Sequence, residues 1–293
     1  MSKLRQIKNR IKGVKKTQQI TKTMEMVAAA RIKKAQARME AARPYALKMI
    51  ELMESVSSAV VEVSHPLLEK REINNVLVIV FTANRGLCGA FNSNVIRLTE
   101  RLIERETSLN RKVDLAVLGR KGLSYFRFKG RELACYFEVT DKAEFSEAKA
   151  VSDYVVKAYS EKQYDAVYLV FNHFKSLMRQ VPTEFRLLPL EPKASESKES
   201  DKETEYLWEP SAEAVLYELL PRYIDTLVFR ALLESVASEH AARRAAMKNA
   251  TDNAGEMIRA LTLSMNKARQ AQITKELTEI ITAAEAIKYS KGK

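Results

Sequence analysis

From Leu4 to Val56 the side chains fall into alternating steps of three and four: Leu4, Ile7, Ile11, Val14, Gln18, Thr21, Glu25, Ala28, Ile32, Ala35, Met39, Ala42, Ala46, Met49, Met53 and Val56. Thirteen of these sixteen positions are apolar. Such a sustained seam predicts a helix over 3–57 that winds left-handedly about a partner helix. The three polar positions, Gln18, Thr21 and Glu25, are consecutive in the seam. They mark either a register device or a place where the helix faces something else. Pro44 predicts a local kink, because it removes one backbone bond and crowds the preceding turn. The run from Ser211 to about Lys288 is also helical in pattern, with only Pro221 and Gly255 as possible breaks. At ~1.5 Å per residue it would be a rod of ~115 Å. Charges such as Arg243, Arg244, Lys248 and Asp252 exclude a membrane span there.

Between the two long helices the period changes. Asn75–Thr82 is a continuous β-branched apolar run, the signature of a strand buried on both faces. Strands follow at 113–118, 133–138 and 164–171, with an edge strand at 183–188. Helices are expected at 91–106, 120–128 and 146–159. This alternation predicts a small, mostly parallel, Rossmann-like α/β domain over 74–192. The Ser-rich charged stretch 193–205 predicts a solvated loop, with 193–210 linking the domain to the second long helix. Pro210 is the candidate start signal of that helix.

The architecture expected is therefore an antiparallel coiled coil of residues 1–60 and 211–293 flanking the α/β domain. If residue 57 lies level with residue 211, paired residues sum to roughly 268, Met24 lies opposite about 244, and Lys3 opposite about 265. The small residues Ala237, Ser238, Ala241, Ala242, Ala245 and Ala246 would let the two backbones approach closely. The last ~20 residues would project alone for ~30 Å, carrying Ile273, Leu277, Ile280, Ile281, Ala284 and Ile287. An apolar helix end of this kind needs a partner around it.

Composition sharpens this picture. Eight Gly and seven Pro make about 5% of the 293 residues, against a usual ~12%, as long helices require. The net charge of +12 is uneven: residues 1–60 hold 14 Lys/Arg and four Glu, leaving only +2 for the rest. The basic helix is a solvated face, a surface for an acidic protein, or a nucleic-acid contact. It carries only Ser2 before Ser55, unlike a Ser-rich transit peptide, so it reads as part of the mature fold. Cys88 and Cys135 are isolated and read as reduced thiols, which points to an intracellular setting.

Little in the sequence suggests catalysis. Gly86-Leu-Cys-Gly89 follows the first strand but matches no phosphate-binding glycine pattern, and Gly119-Arg-Lys-Gly122 is likewise a turn. His65, His173 and His240 are scattered without metal-ligand spacing. No catalytic residue, metal site or cofactor is expected.

Three stretches carry a resemblance: TQQITKTMEMVAAA at 17–30, RGLCGA at 85–90, and the pair MKNATDNAG at 247–255 and NKARQAQITKELTEI at 266–280. Together, and in this order, they resemble the γ subunit of F-type ATP synthase in its bacterial form. The chain departs from the family pattern only at Ala283-Ala284. The resemblance implies a rotor without catalytic chemistry of its own, partnered by α and β subunits, an ε subunit and the c-ring. It implies membrane association only through that ring, at the cytoplasmic side of a bacterial inner membrane, and no nucleic acid. It further implies that Thr21, Lys22, Met24 and Glu25 face the β subunits, with Arg243 beside them on the second helix. Gln270, Thr274, Glu276, Thr278 and Glu279 would form an upper contact zone, and Tyr206 and Glu209 would lie near the c-ring. On this view, charge reversal at Arg243 weakens coupling while sparing assembly. The alternative class is a basic coiled-coil module that binds nucleic acid or a membrane surface.

Overall fold

A computed structural model describes residues 3–59, 65–190 and 208–291. The elements run α1 (Lys3–Ala59), β1 (Asn75–Phe81), α2 (Phe91–Ser108), β2 (Lys112–Leu118), α3 (Arg120–Phe128), β3 (Cys135–Phe137), α4 (Phe145–Ser160), β4 (Ala166–Phe174), β5 (Gln180–Leu188) and α5 (Ala212–Lys291). The charged loop at 193–205 and Tyr206 lie outside the described residues. Two compact units are present, residues 1–27 with 246–293 and residues 28–245.

The larger unit is built on a five-stranded sheet in the order β3-β2-β1-β4-β5. The first four strands are parallel, and β5 pairs antiparallel with β4. The edge strand is longer than the sequence pattern indicates, because Gln180 to Pro182 extend the hairpin ladder through polar residues. β1 sits at the centre and alternates strictly. Val76, Val78 and Val80 pack with Val95, Leu102 and Phe126 of α2 and α3. Leu77, Ile79 and Phe81 pack with Val151 and Val155 of α4, Leu232 of α5 and Met53 of α1. Both faces are covered, so a strand with no polar alternation is what the packing requires.

The strand-to-helix turns depend on one threonine. The Thr82 hydroxyl donates to the Leu118 carbonyl at 2.7 Å and accepts from the Gly122 N–H at 2.9 Å. Gly119 has φ +87°, and a Cβ there would come within 2.1 Å of the Thr82 carbonyl oxygen. Gly119→Ala is therefore expected to destabilise the protein by about 2 kcal/mol or more, from positive φ alone before the clash is added. A urea midpoint equal to that of the parent chain would contradict this packing.

In the smaller unit, α1 and α5 run antiparallel. The Thr251 hydroxyl lies 2.8 Å from the Thr21 hydroxyl and within reach of the Met247 carbonyl, and the Gln18 amide contacts the Thr251 carbonyl. Gln18 also lies over Gly255, where a Cβ would meet its amide at 3.1 Å. The threonine pair sums to 272, four residues or one helical turn beyond the sequence estimate, so Met24 faces the level of Lys248. That estimate took residues 57 and 211 as level, and the bonded pair measures the offset directly. Carried to the end, the same register sets Leu4 against Ala268. Ala268 is half-buried, and every residue from Arg269 to Ala284 is exposed.

All sixteen seam positions of α1 are buried or half-buried. The polar trio is thus part of the seam: Thr21 is buried and Gln18 and Glu25 are half-buried. Interhelical bonds at Gln18 and Thr21 fix one register in a stretch where apolar packing alone would permit sliding. Neither proline ends a helix; α1 continues through Pro44 and α5 through Pro221. α5 begins after the proline signal at 210, because the Ser211 hydroxyl accepts the Ala214 N–H at 3.2 Å and caps the helix.

Candidate functional site

In open parallel sheets the crevice outside the carboxyl ends of the strands, where the strand order reverses, is the usual ligand site. Here that point lies between β1 and β4, and it is filled by the chain's own α5. Ser238 donates to the Asn172 carbonyl at 2.9 Å, and the Asn172 amide donates to the Phe91 carbonyl at 3.3 Å. Residues 231–241 are buried without exception. The small residues Ala237, Ser238 and Ala241 therefore pack α5 into the sheet's crevice as well as along α1, whereas Ala245 is exposed. Five of these eleven buried residues are polar (Glu234, Ser235, Ser238, Glu239 and His240), and burial of such groups is costly unless they are bonded.

The polar residues that do enter this core are paired. Arg243 has a side chain 11% exposed and forms an ion pair with Glu239 at 2.7 Å. Its guanidinium donates to the carbonyls of Arg85 at 3.3 Å and Gly86 at 3.2 Å. The RGLCGA turn is thus a receptor for an arginine of α5, and two of its carbonyls face a cation where a phosphate loop would present N–H groups. Ala83, Cys88 and Phe91 form a small apolar cluster beside it, with Ala242 packed against them. Burial pushes the Glu239 carboxyl up, and Arg243 offsets part of that shift. Farther along α5, Glu234 is held by Arg230 at 2.9 Å and by His173. Arg31 on α1 pairs with Asp141 after β3.

His240 lies in the same cluster with 1% exposure. Burial, followed by the nearby Arg243 and Arg31, lowers its pKa to about 4, with Asp141 acting in the opposite sense. The imidazole is neutral in the folded chain at pH 7. The unfolded chain takes up this proton near pH 6.5 and the folded chain only near 4, so stability falls as the pH drops through that window. The full effect is about 3 kcal/mol, from about 2.5 pH units at 1.36 kcal/mol each. His240→Gln should flatten the dependence of the unfolding midpoint between pH 6.5 and 4. A slope unchanged in the variant would assign it to other groups.

The remaining site residues occupy two surfaces of the smaller unit, except Glu209. Lys22 and Glu25 pair at 3.1 Å, with Lys22 exposed, and Met24 is half-buried beside them. Gln270, Thr274, Glu276, Thr278 and Glu279 are all exposed on α5. The Thr274 and Thr278 hydroxyls donate to the carbonyls four residues earlier. Ile273, Leu277, Ile280 and Ile281 stand 45%, 54%, 65% and 59% exposed on one stripe of the same segment. Glu209 is exposed just before α5, in the larger unit. Arg243 and Thr21 are buried in different compact units, and each is bonded internally.

Comparison with known proteins shows the family. A family model described as "ATP synthase" matches residues 3–287. An ATP synthase gamma chain of Desulforamulus reducens is 46% identical over 98% of this chain and 100% of its own length. The gamma chain of Geobacter metallireducens is 44% identical with the same coverage.

The chain belongs to the ATP synthase γ-chain family.

It is accordingly a central-stalk rotor subunit, and a non-catalytic one. Solved structures agree on the fold. A chain of the Tetrahymena thermophila mitochondrial ATP synthase central stalk and c-ring superposes with a TM-score of 0.59 at 28% identity, covering 79% of this chain and 99% of that one. A chain of the Euglena gracilis mitochondrial ATP synthase, in an OSCP/F1/c-ring structure, gives 0.69 at 21% identity over 98% and 95%. Sequence reasoning about this γ-family chain missed the internal ion pairs of α5. The signal was present, since Glu239 and Arg243 stand at i and i+4 within an alanine-rich run that leaves them nowhere else to go.

Proposed function

We propose that this chain carries torque between a c-ring and a catalytic ring of α and β subunits, coupling proton flow to ATP synthesis. The tip of α5 carries the reading: sixteen consecutive residues, Arg269 to Ala284, are exposed while one stripe among them is isoleucine and leucine. An exposed apolar stripe of this kind marks a surface that a partner covers. A ring of α and β subunits would enclose that stripe, with Gln270, Thr274, Glu276, Thr278 and Glu279 as polar contacts. Lys22, Met24 and Glu25 are the lower contacts toward β. Thr21 and Arg243 hold the shaft's own geometry and act on coupling through it. Tyr206 and Glu209 belong to the foot on the c-ring, beside an ε subunit.

No helix among the described residues is long and apolar enough to cross a membrane. Attachment to the membrane is then indirect, through the ring, and the bacterial relatives favour the cytoplasmic side of a plasma membrane. Coexpression with α and β chains tests this reading. Co-elution of the three with Mg-ATPase activity is the expected result. A lone chain that shifts a DNA probe with steep salt dependence would sink it.

A further inference from the structure

An open cleft of about 720 Å³ lies in the larger unit, between α1 and the loops that leave β1, β2 and β3. Six cations line it: Arg31, Lys34 and Arg38 from α1, Arg85 after β1, Arg120 after β2 and Lys142 after β3. Only three acids share the cleft, and each is already held by a cation. Asp141 pairs with Arg31, Glu138 with Arg120 at 3.2 Å, and Glu144 with Lys142 at 4.0 Å. The Arg38 guanidinium donates to the Lys142 carbonyl, which leaves its charge unmatched. Lys34 and Arg85 are exposed, and their side chains make no hydrogen bond or ion pair among the described residues. Three uncompensated positive charges thus meet in one concavity, from two sides.

We propose that this cleft binds a short polyphosphate, either free or as the phosphate tail of a nucleotide. Guanidinium forks match phosphate oxygens in pairs, and Arg38 and Arg85 offer two of them with Lys34 as a point charge. The N-terminus of α3 takes no part. Its first N–H groups are consumed by Asn84 at 3.1 Å, the Ala83 carbonyl at 3.0 Å and Thr82 at 2.9 Å. Recognition is therefore by side chains alone, which suits an extended anion with several charges better than a single phosphate. Ala35, Leu233 and Val236 give the cleft an apolar wall against which a base can rest. A bound anion would tie α1 to the loop after β3. This proposal goes beyond the rotor reading and does not depend on it.

The test reads Lys34 itself, by its rate of acylation measured by mass spectrometry in the full chain assembled with α and β chains. Inorganic pyrophosphate and ATP are the two probes. At ten times the dissociation constant, binding slows Lys34 acylation about tenfold by mass action, while exposed Lys12 is unaffected. Protection by pyrophosphate identifies the free polyphosphate, and protection by ATP alone identifies the nucleotide. Arg85→Ala shifts the protection curve to higher anion concentration. The proposal is overturned if neither anion protects Lys34, or if Lys12 slows equally. It is also overturned if Lys34 is unreactive before any anion is added, since a protein segment would then already fill the cleft.

Discussion

Arg243→Glu is expected to destabilise the folded chain by about 3–5 kcal/mol, the usual cost of breaking a buried ion pair from one side. The parent guanidinium neutralises Glu239 and satisfies the carbonyls of Arg85 and Gly86 in a site where the side chain is 11% exposed. Reversal removes every one of those donors and sets a second carboxylate beside one whose protonation burial already favours. Arg243→Lys keeps the charge, but a single ammonium cannot replace the fork at both carbonyls and the carboxylate, so a loss of about 1–2 kcal/mol is expected. Denaturant unfolding of the full-length chain checks both values. The family resemblance by itself implies a coupling defect with assembly intact. If reversal left the unfolding midpoint in place and impaired only coupling, Arg243 would be an outward contact and the burial argument would be wrong.

Truncation should give the opposite pattern. A chain ending at Ala268 loses the exposed residues Arg269 to Ala284 and the end of the chain beyond them, so its own unfolding free energy should change by no more than about 0.5 kcal/mol. Its association with the α and β ring should suffer badly. Ile273, Leu277, Ile280 and Ile281 are about half exposed, so each would contribute about 1–1.5 kcal/mol when enclosed. A chain ending at Ala283 retains all four and should assemble nearly as the parent does. Pull-down yield and Mg-ATPase activity across the two truncations measure the grading. Equal loss in both would contradict a sleeve that grips the tip along its length.

The sequence made much of this legible because long periodic segments leave few alternatives. The heptad from Leu4 predicted which face of α1 is covered, and no seam position is exposed. β1 was readable from its unbroken apolar run, since only a strand covered on both sides tolerates one. Register was harder. A coiled coil's pattern permits sliding by a turn, and among the described residues the bonds of Thr251 to Thr21 and Gln18 choose among the options. The crevice was harder still. Ala237, Ser238 and Ala241 mark a close approach, but the pattern does not say that the approach is to a sheet as well as to a helix. For the same reason the RGLCGA turn could be denied a phosphate from its spacing, whereas its true occupant lies 158 positions away in the chain.

The central claim is rotation of this chain relative to the α and β ring. An α–β–γ assembly fixed to a surface through β, with a bead attached to an exposed cysteine introduced at Ser108, tests it most directly. On addition of Mg-ATP the bead is predicted to turn steadily in one direction for as long as hydrolysis continues. A bead that stays fixed while the same assembly hydrolyses ATP would contradict the account.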